Sequence, residues 1–124
     1  MTPESHLMKI RPLVEKDRAA LLLMLIKTRS FTSQEIDVAM ELIDIVLRDE
    51  IQKDYQIQCI VDDQDQAIGY ICYGPTPMTQ GTFDLYWIAV DPDFQKLGVG
   101  STLLRFLEEV VGGEGGRLIL ADTS

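Results

Sequence analysis

The stretch of this 124-residue chain with the clearest chemical capacity is Val90-Asp91-Pro92-Asp93-Phe94-Gln95-Lys96-Leu97-Gly98-Val99-Gly100-Ser101. An apolar, β-rich run ends at Asp-Pro, and two glycines then open a segment with helical spacing. The first turn of a helix has N–H groups without internal acceptors and carries the positive end of the helix dipole. Glycines there clear side chains from the path of an anion, so the segment suits a phosphate or diphosphate. It is not a P-loop, because no Gly-Lys-Ser/Thr closes it, and it lacks the dinucleotide fingerprint, whose third glycine is replaced by Leu103. Taken alone, Gly-x-Gly at a helix start also fits a plain tight turn.

Other chemistries are poorly supplied. With His6 the single histidine, neither a histidine-based zinc site nor a Ser/His/Asp triad is expected. Cys59 and Cys72 sit in apolar stretches and read as two buried thiols rather than a disulfide or a metal site. Twenty acidic against 11 basic residues give a net charge of −9, which leaves no basic face for nucleic acid. That acidity fits solubility, and it also fits attraction of a cationic substrate such as an amine. The longest apolar run, Ala19 to Ile26, is too short to span a bilayer, and the N-terminus has no export signal, so a cytoplasmic protein is expected.

The elements that must position the segment follow from hydrophobic period. Met8 to Leu13 reads as a first strand and Glu15 to Thr28 as a helix whose centre, Leu21 to Ile26, is apolar on nearly every side. Thr32 and Glu35 form a capping box, with Phe31 placed to staple onto Ile36, and a second helix runs to about Ile51. The period then becomes two. Tyr55 to Val61 and Ala67 to Tyr73 form a hairpin across the polar turn Asp62 to Gln66, and Gly74-Pro75-Thr76-Pro77 is expected to break the second strand. Phe83 to Val90 is a further strand, Gly98 to about Val111 a helix, Gly112 to Gly116 a flexible turn, and Leu118 to Ala121 a last strand. The order β-α-α-β-β-β-α-β describes one α/β domain: a mixed sheet with an antiparallel hairpin, a parallel pair at its end and helices on both faces.

In this context Gln95-Lys96-Leu97-Gly98-Val99-Gly100 resembles the Q/R-x-x-G-x-G/A motif of the GCN5-related N-acetyltransferases (GNAT), between the family's fourth strand and third helix. Leu85-Tyr86-Trp87-Ile88-Ala89-Val90-Asp91-Pro92 resembles its fourth strand, and the order of elements from Met8 to Ala121 is similar throughout. The resemblance implies the GNAT-like acyl-CoA N-acyltransferase fold and acetyl-CoA as co-substrate, without a metal. It implies that the amides of Gln95, Lys96, Leu97, Gly98, Val99, Gly100 and Ser101 bind the diphosphate. The main chain around Ala89, at Ile88 and Val90, would pair with the pantetheine arm, one N–H polarising the thioester carbonyl. A splay between the fourth and fifth strands would admit the arm.

An ammonium cannot attack, so amine acylation also needs a base. The family position six residues before Val90 is Asp84, whose apolar neighbours Phe83 and Leu85 would desolvate its carboxylate and strengthen it as a base. A solvated aspartate near a strand start is at least as good a reading. Tyr86 shares the face of Asp84 in an ideal strand and would line the acceptor site, or simply pack. Tyr70 and Tyr73 are weaker candidates, and Trp87 reads as core. The family continues past its fifth strand with a helix and two strands, which usually bear a tyrosine acid, whereas this sequence ends at Ser124. A piece of a longer protein is the favoured expectation, ahead of a second chain or a homodimer through the exposed fifth strand. Two functions stand: an N-acetyltransferase acting on a small-molecule or protein amine, and a catalytically silent acyl-CoA-binding module.

Overall fold

The computed structural model describes residues 8–49, 51–77, 81–113 and 117–120. His6, Ala121 and the C-terminal Asp122-Thr123-Ser124 therefore lie outside the described residues. The elements run β1 (Lys9–Pro12), α1 (Asp17–Thr28), α2 (Ser33–Arg48), β2 (Gln56–Val61), β3 (Ala67–Pro75), β4 (Thr82–Val90), a 3-10 helix (Pro92–Leu97), α3 (Val99–Gly113) and β5 (Arg117–Leu120). The expected order is present, with one addition: the turn after β4 is itself helical. Asp91 caps it by accepting from the Asp93 N–H (2.9 Å), and Pro92 opens it, where a missing N–H costs nothing.

The sheet has the order β1-β2-β3-β4-β5, antiparallel except for the parallel β4–β5 pair that closes the β-α-β unit. Helices cover both faces. Leu21, Met24 and Leu25 of α1 and Ala39, Met40 and Ile43 of α2 pack with Ile57, Cys59, Tyr70 and Cys72 on one side. Val99, Leu103, Leu107 and Val111 of α3, at helical spacing, pack with Ile60, Ile68, Ile71 and Leu85 on the other. Both cysteines are buried free thiols, pushed up to about 12 by burial.

Several boundaries are corrected. Helix α1 begins at Asp17 rather than Glu15, and it exposes Leu23 and Ile26, so it has a wet side. Helix α2 starts from the expected capping box, Glu35 N–H donating to Thr32 Oγ1 (3.1 Å) and Thr32 N–H to Glu35 Oε1 (2.8 Å), but it ends at Arg48. Gly112 and Gly113 belong to α3. Strand β3 does not stop at Tyr73: Gly74 pairs with Asp84 and Pro75 with Phe83. The prolyl residue is tolerated because pairing with β2 begins only at Gln56–Tyr73, so Pro75 has no ladder partner to disappoint on that side. Gly74 is required there, since a Cβ would lie 1.9 Å from the carbonyl oxygen of Asp54.

One ion pair fixes α1 on the sheet. Asp17 is 1% exposed and accepts both Arg11 terminal nitrogens, at 2.8 and 2.9 Å, together with the Val14 N–H at 2.9 Å. Burial alone would raise the Asp17 carboxyl, but the Arg11 and Val14 donors outweigh it and hold it below its ordinary 3.8. An acid with a depressed folded value adds stability that is complete above its unfolded value and is lost as pH falls through the folded one. Asp17→Asn should therefore cost about 3 kcal/mol at neutral pH. Urea titrations at a series of pH values should show the gap to the parent closing below pH 3.8; a constant gap would remove the charge from the account.

Candidate functional site

Strand β4 is the spine of the site. Phe83, Leu85, Ile88 and Val90 join the α3 side, whereas Tyr86, Trp87 and Ala89 join the α1/α2 side. Two successive residues, Tyr86 and Trp87, thus face the same way. The register shows why: Cys72 pairs with Trp87 and Tyr73 with Leu85, leaving Tyr86 as the extra residue of a β-bulge. Strict alternation along β4, which the sequence suggested, fails at this point because the bulge resets the pleat.

The bulge at Tyr86 lies one residue beyond the last described pair of β4 with β5. Their described pairing stops at Leu85–Leu120. Beyond it, the Asp91 N–H donates to Ile68 O on β3 (2.8 Å), so strand alternation turns the N–H and C=O of Val90 and Ile88 to the opposite edge. No strand pairs with that edge among the described residues. An extended chain laid there would find unpaired donors and acceptors at alternate residues.

At the far end of this edge lies a cleft of about 290 Å³, lined by Ile88, Ala89 and Val90 of β4, Gln95 and Gly100, with Thr28, Ser30 and Phe31 opposite. The glycines play different parts. Gly98 has φ +74°, a left-handed turn that joins the 3-10 helix to α3, and nothing stands within 4 Å of its missing side chain. Gly100 has ordinary geometry and faces the cleft. The first i→i−4 bond of α3 runs from the Thr102 N–H to Gly98 O (3.0 Å), so the amides of Val99, Gly100 and Ser101 precede the helical ladder. Gln95, Lys96, Leu97 and Ser101 are exposed beside them, while the Val99 side chain is core. These residues fit an anion held by backbone amides; no side chain crowds the opening at Gly98.

The structure therefore brings Ile88, Ala89, Val90, Gln95 and Gly100 together and places Asp84 and Tyr86 elsewhere, five and three residues back along β4 from Ala89. Tyr86 stacks edge-on against Tyr55 (5.3 Å), and desolvation, followed by the charges of Asp84 and Asp54, raises its hydroxyl above the ordinary tyrosine range. Tyr70 is 1% exposed and stays a buried phenol, and Tyr73 donates to Gln56 Oε1 (3.2 Å). Trp87 is half-buried against Phe31, ring centres 5.1 Å apart. The loop Lys27 to Phe31, which the family resemblance assigns to the acceptor pocket, supplies Thr28, Ser30 and Phe31 to this cleft; nothing in the residue types of Thr28 and Ser30 signals what they face. Among the described residues no cluster of three His, Cys, Asp or Glu could hold a metal, and no helix is long and apolar enough to cross a membrane.

A mixed five-stranded sheet whose fourth strand is bulged and leads into a glycine-opened helix is the acyl-CoA N-acyltransferase class of fold. The family model of the acetyltransferase (GNAT) family matches residues 22–124. A GNAT-family protein from Desulfovibrio desulfuricans superposes with a TM-score of 0.83 at 40% identity, over 91% of this chain and 72% of that one. A GNAT acetyltransferase from Brucella melitensis, solved with acetyl-CoA, superposes with a TM-score of 0.69 at 22% identity, over 94% and 77% of the two chains. The S-(2-succino)cysteine N-acetyltransferase of Bacillus subtilis (strain 168) is 44% identical over 39 residues, 32% of this chain and only 24% of that protein. This chain belongs to the GNAT acetyltransferase family.

The two glycines make opposite predictions. Gly98→Ala should cost about 1–2 kcal/mol, the strain of a left-handed alanine, although space is free. Gly100→Ala should be neutral or slightly stabilising, its Cβ meeting Val90 Cγ2 at 3.8 Å. Chemical denaturation of both variants checks the pair.

Proposed function

We propose that this chain binds acetyl-CoA along the free edge of β4 and transfers the acetyl group to a primary amine of a small molecule or protein. The observation that carries the reading is the cleft at the end of β4, which Ile88, Ala89 and Val90 line together with Gln95 and Gly100, next to the amides of Val99, Gly100 and Ser101 that precede the α3 ladder. The related Brucella melitensis protein, solved with acetyl-CoA, supports this choice of donor, and the Bacillus subtilis N-acetyltransferase supports an amine acceptor. Two reduced, buried cysteines suit a cytoplasmic setting.

The donor supplies an activated thioester. The amides of residues 95–101 would hold its diphosphate, and a β4 N–H would stabilise the oxyanion that develops as the amine adds. Asp84 takes one proton of the ammonium, freeing the amine to attack; the tetrahedral intermediate then collapses with cleavage of the C–S bond, and the second nitrogen proton passes to the departing thiolate as CoA leaves. Tyr86, on the same side of β4 and backed by Tyr55, lines the acceptor. Asp84 lies roughly 17–20 Å back along the strand from Val90, so a long donor arm is needed to connect the two ends of the site.

Calorimetric titration with acetyl-CoA should give saturable binding that Gly100→Glu abolishes while the fold persists, since this variant puts a carboxylate into the cleft from an unstrained position. Absence of binding by the folded parent would overturn the donor assignment. In acetyl transfer to a panel of amines, Asp84→Asn should lower kcat about 100-fold near neutral pH, with the loss diminishing at high pH as free amine accumulates. Unchanged turnover would move the base elsewhere. Binding without transfer to any amine would leave an acyl-CoA-binding module.

A further inference from the structure

The wall of the cleft contributed by α1 is tied to the wall contributed by the 3-10 helix through a single side chain. Lys27 Nζ donates to Asp91 Oδ1 at 2.9 Å and to Asp93 Oδ2 at 2.6 Å. It belongs to the last turn of α1, one residue before Thr28, which lines the cleft. Its two partners are the cap and the first turn of the 3-10 helix whose far end carries Gln95 to Leu97. Asp91 is committed three ways: its N–H to β3, its carboxylate to the Asp93 N–H, and the same oxygen to Lys27.

We infer that Lys27 is a positioning residue for the donor site: it holds the Asp91 and Asp93 carboxylates against the end of α1 and compensates one of their two charges, which lowers the negative field at the amides that receive the diphosphate. The inference rests on the donor reading above. Two carboxylates within four residues of Gln95 oppose the approach of a polyanion, and in a chain of net charge −9 no surplus of cations offsets them. Asp93 is 72% and Lys27 45% exposed, so the pairs add little to folding stability in salt. Their consequence is local. Without Lys27 the carboxylates face each other uncompensated and the two walls of the cleft lose their direct tie.

The test is calorimetric titration of the parent, Lys27→Met, Lys27→Arg and the double variant Lys27→Met/Asp93→Asn with acetyl-CoA, at low and at high salt. Lys27→Met should weaken binding about tenfold at low salt, with the gap narrowing as salt screens the charges. Lys27→Arg should stay near the parent, and Asp93→Asn should recover part of the loss, which packing alone would not produce. Thermal melts should place all four proteins close together. Parent-like affinity in Lys27→Met, or a loss independent of salt and of Asp93, overturns the inference and leaves the donor assignment intact. Failure of the parent itself to bind overturns both.

Discussion

The contact on which the rest of the molecule depends is the buried Asp17 carboxylate inside its ring of donors. A charge removed from water must be fully paired, and the Arg11 fork, the Val14 N–H and the Cys59 thiol beside it leave Asp17 little freedom. Arg11 is itself on β1, opposite Cys59 of β2, and its remaining nitrogen donates to Asp65 in the hairpin turn at 2.8 Å. One guanidinium thus joins the first strand, the first helix and the β2–β3 turn. Lys16 adds a second cation on Asp65, which together with Arg11 holds that carboxyl down at about 2. From this anchor α1 passes over β3 and delivers Lys27 and Thr28 to the end of β4. The position of the cleft is therefore set at the other end of the helix that forms its wall.

The site itself is built chiefly of backbone. The donors proposed for it are the amides that follow the left-handed turn at Gly98, in the first turn of α3 before its helical ladder begins. Such donors keep their charge state at every pH and bring no rotamer entropy with them. This explains how a strongly acidic chain can present a surface suited to an anion. Lys27 is spent on Asp91 and Asp93, whereas Lys96 stands exposed on the motif turn.

The proposed acceptor side has a different character. Tyr86, Tyr55, Asp84 and Asp54 gather where the β2 approach crosses Gly74, and the close passage of the Asp54 carbonyl at that glycine sets the spacing. Asp54 and Tyr55 are placed by Gln52, whose side chain accepts from both their N–H groups at 3.0 Å and donates to the Tyr55 carbonyl at 2.8 Å. An aromatic and anionic surface of this kind agrees with the charge of the whole chain.

Much of the architecture could be read directly from residue order. The capping box at Thr32 and Glu35, the period-two runs of β2 and β3, the helical spacing of Val99, Leu103, Leu107 and Val111, and the glycine pair at the start of α3 are local signals, because each depends on neighbours within one or two turns of chain. The extension of β3 past Tyr73 to Pro75, the bulge at Tyr86 and the partners of Lys27 carried no such signal. Pro75 is acceptable only because the pairing of β2 begins two residues short of it, at Gln56–Tyr73, and asks for no N–H there. Tyr86 and Trp87 share a face only because β3 offers one residue fewer than β4 across that stretch. Lys27 and Asp91 lie 64 residues apart and meet only once the sheet has ordered its strands. The sequence alone determined the elements, their order and the anion-suited helix start, since propensity and period are short-range properties. Tertiary structure decided which edge of β4 turns away from β3, which walls face across the cleft and which charges meet there, because pairing register and ion-pair partners are chosen by the packed sheet.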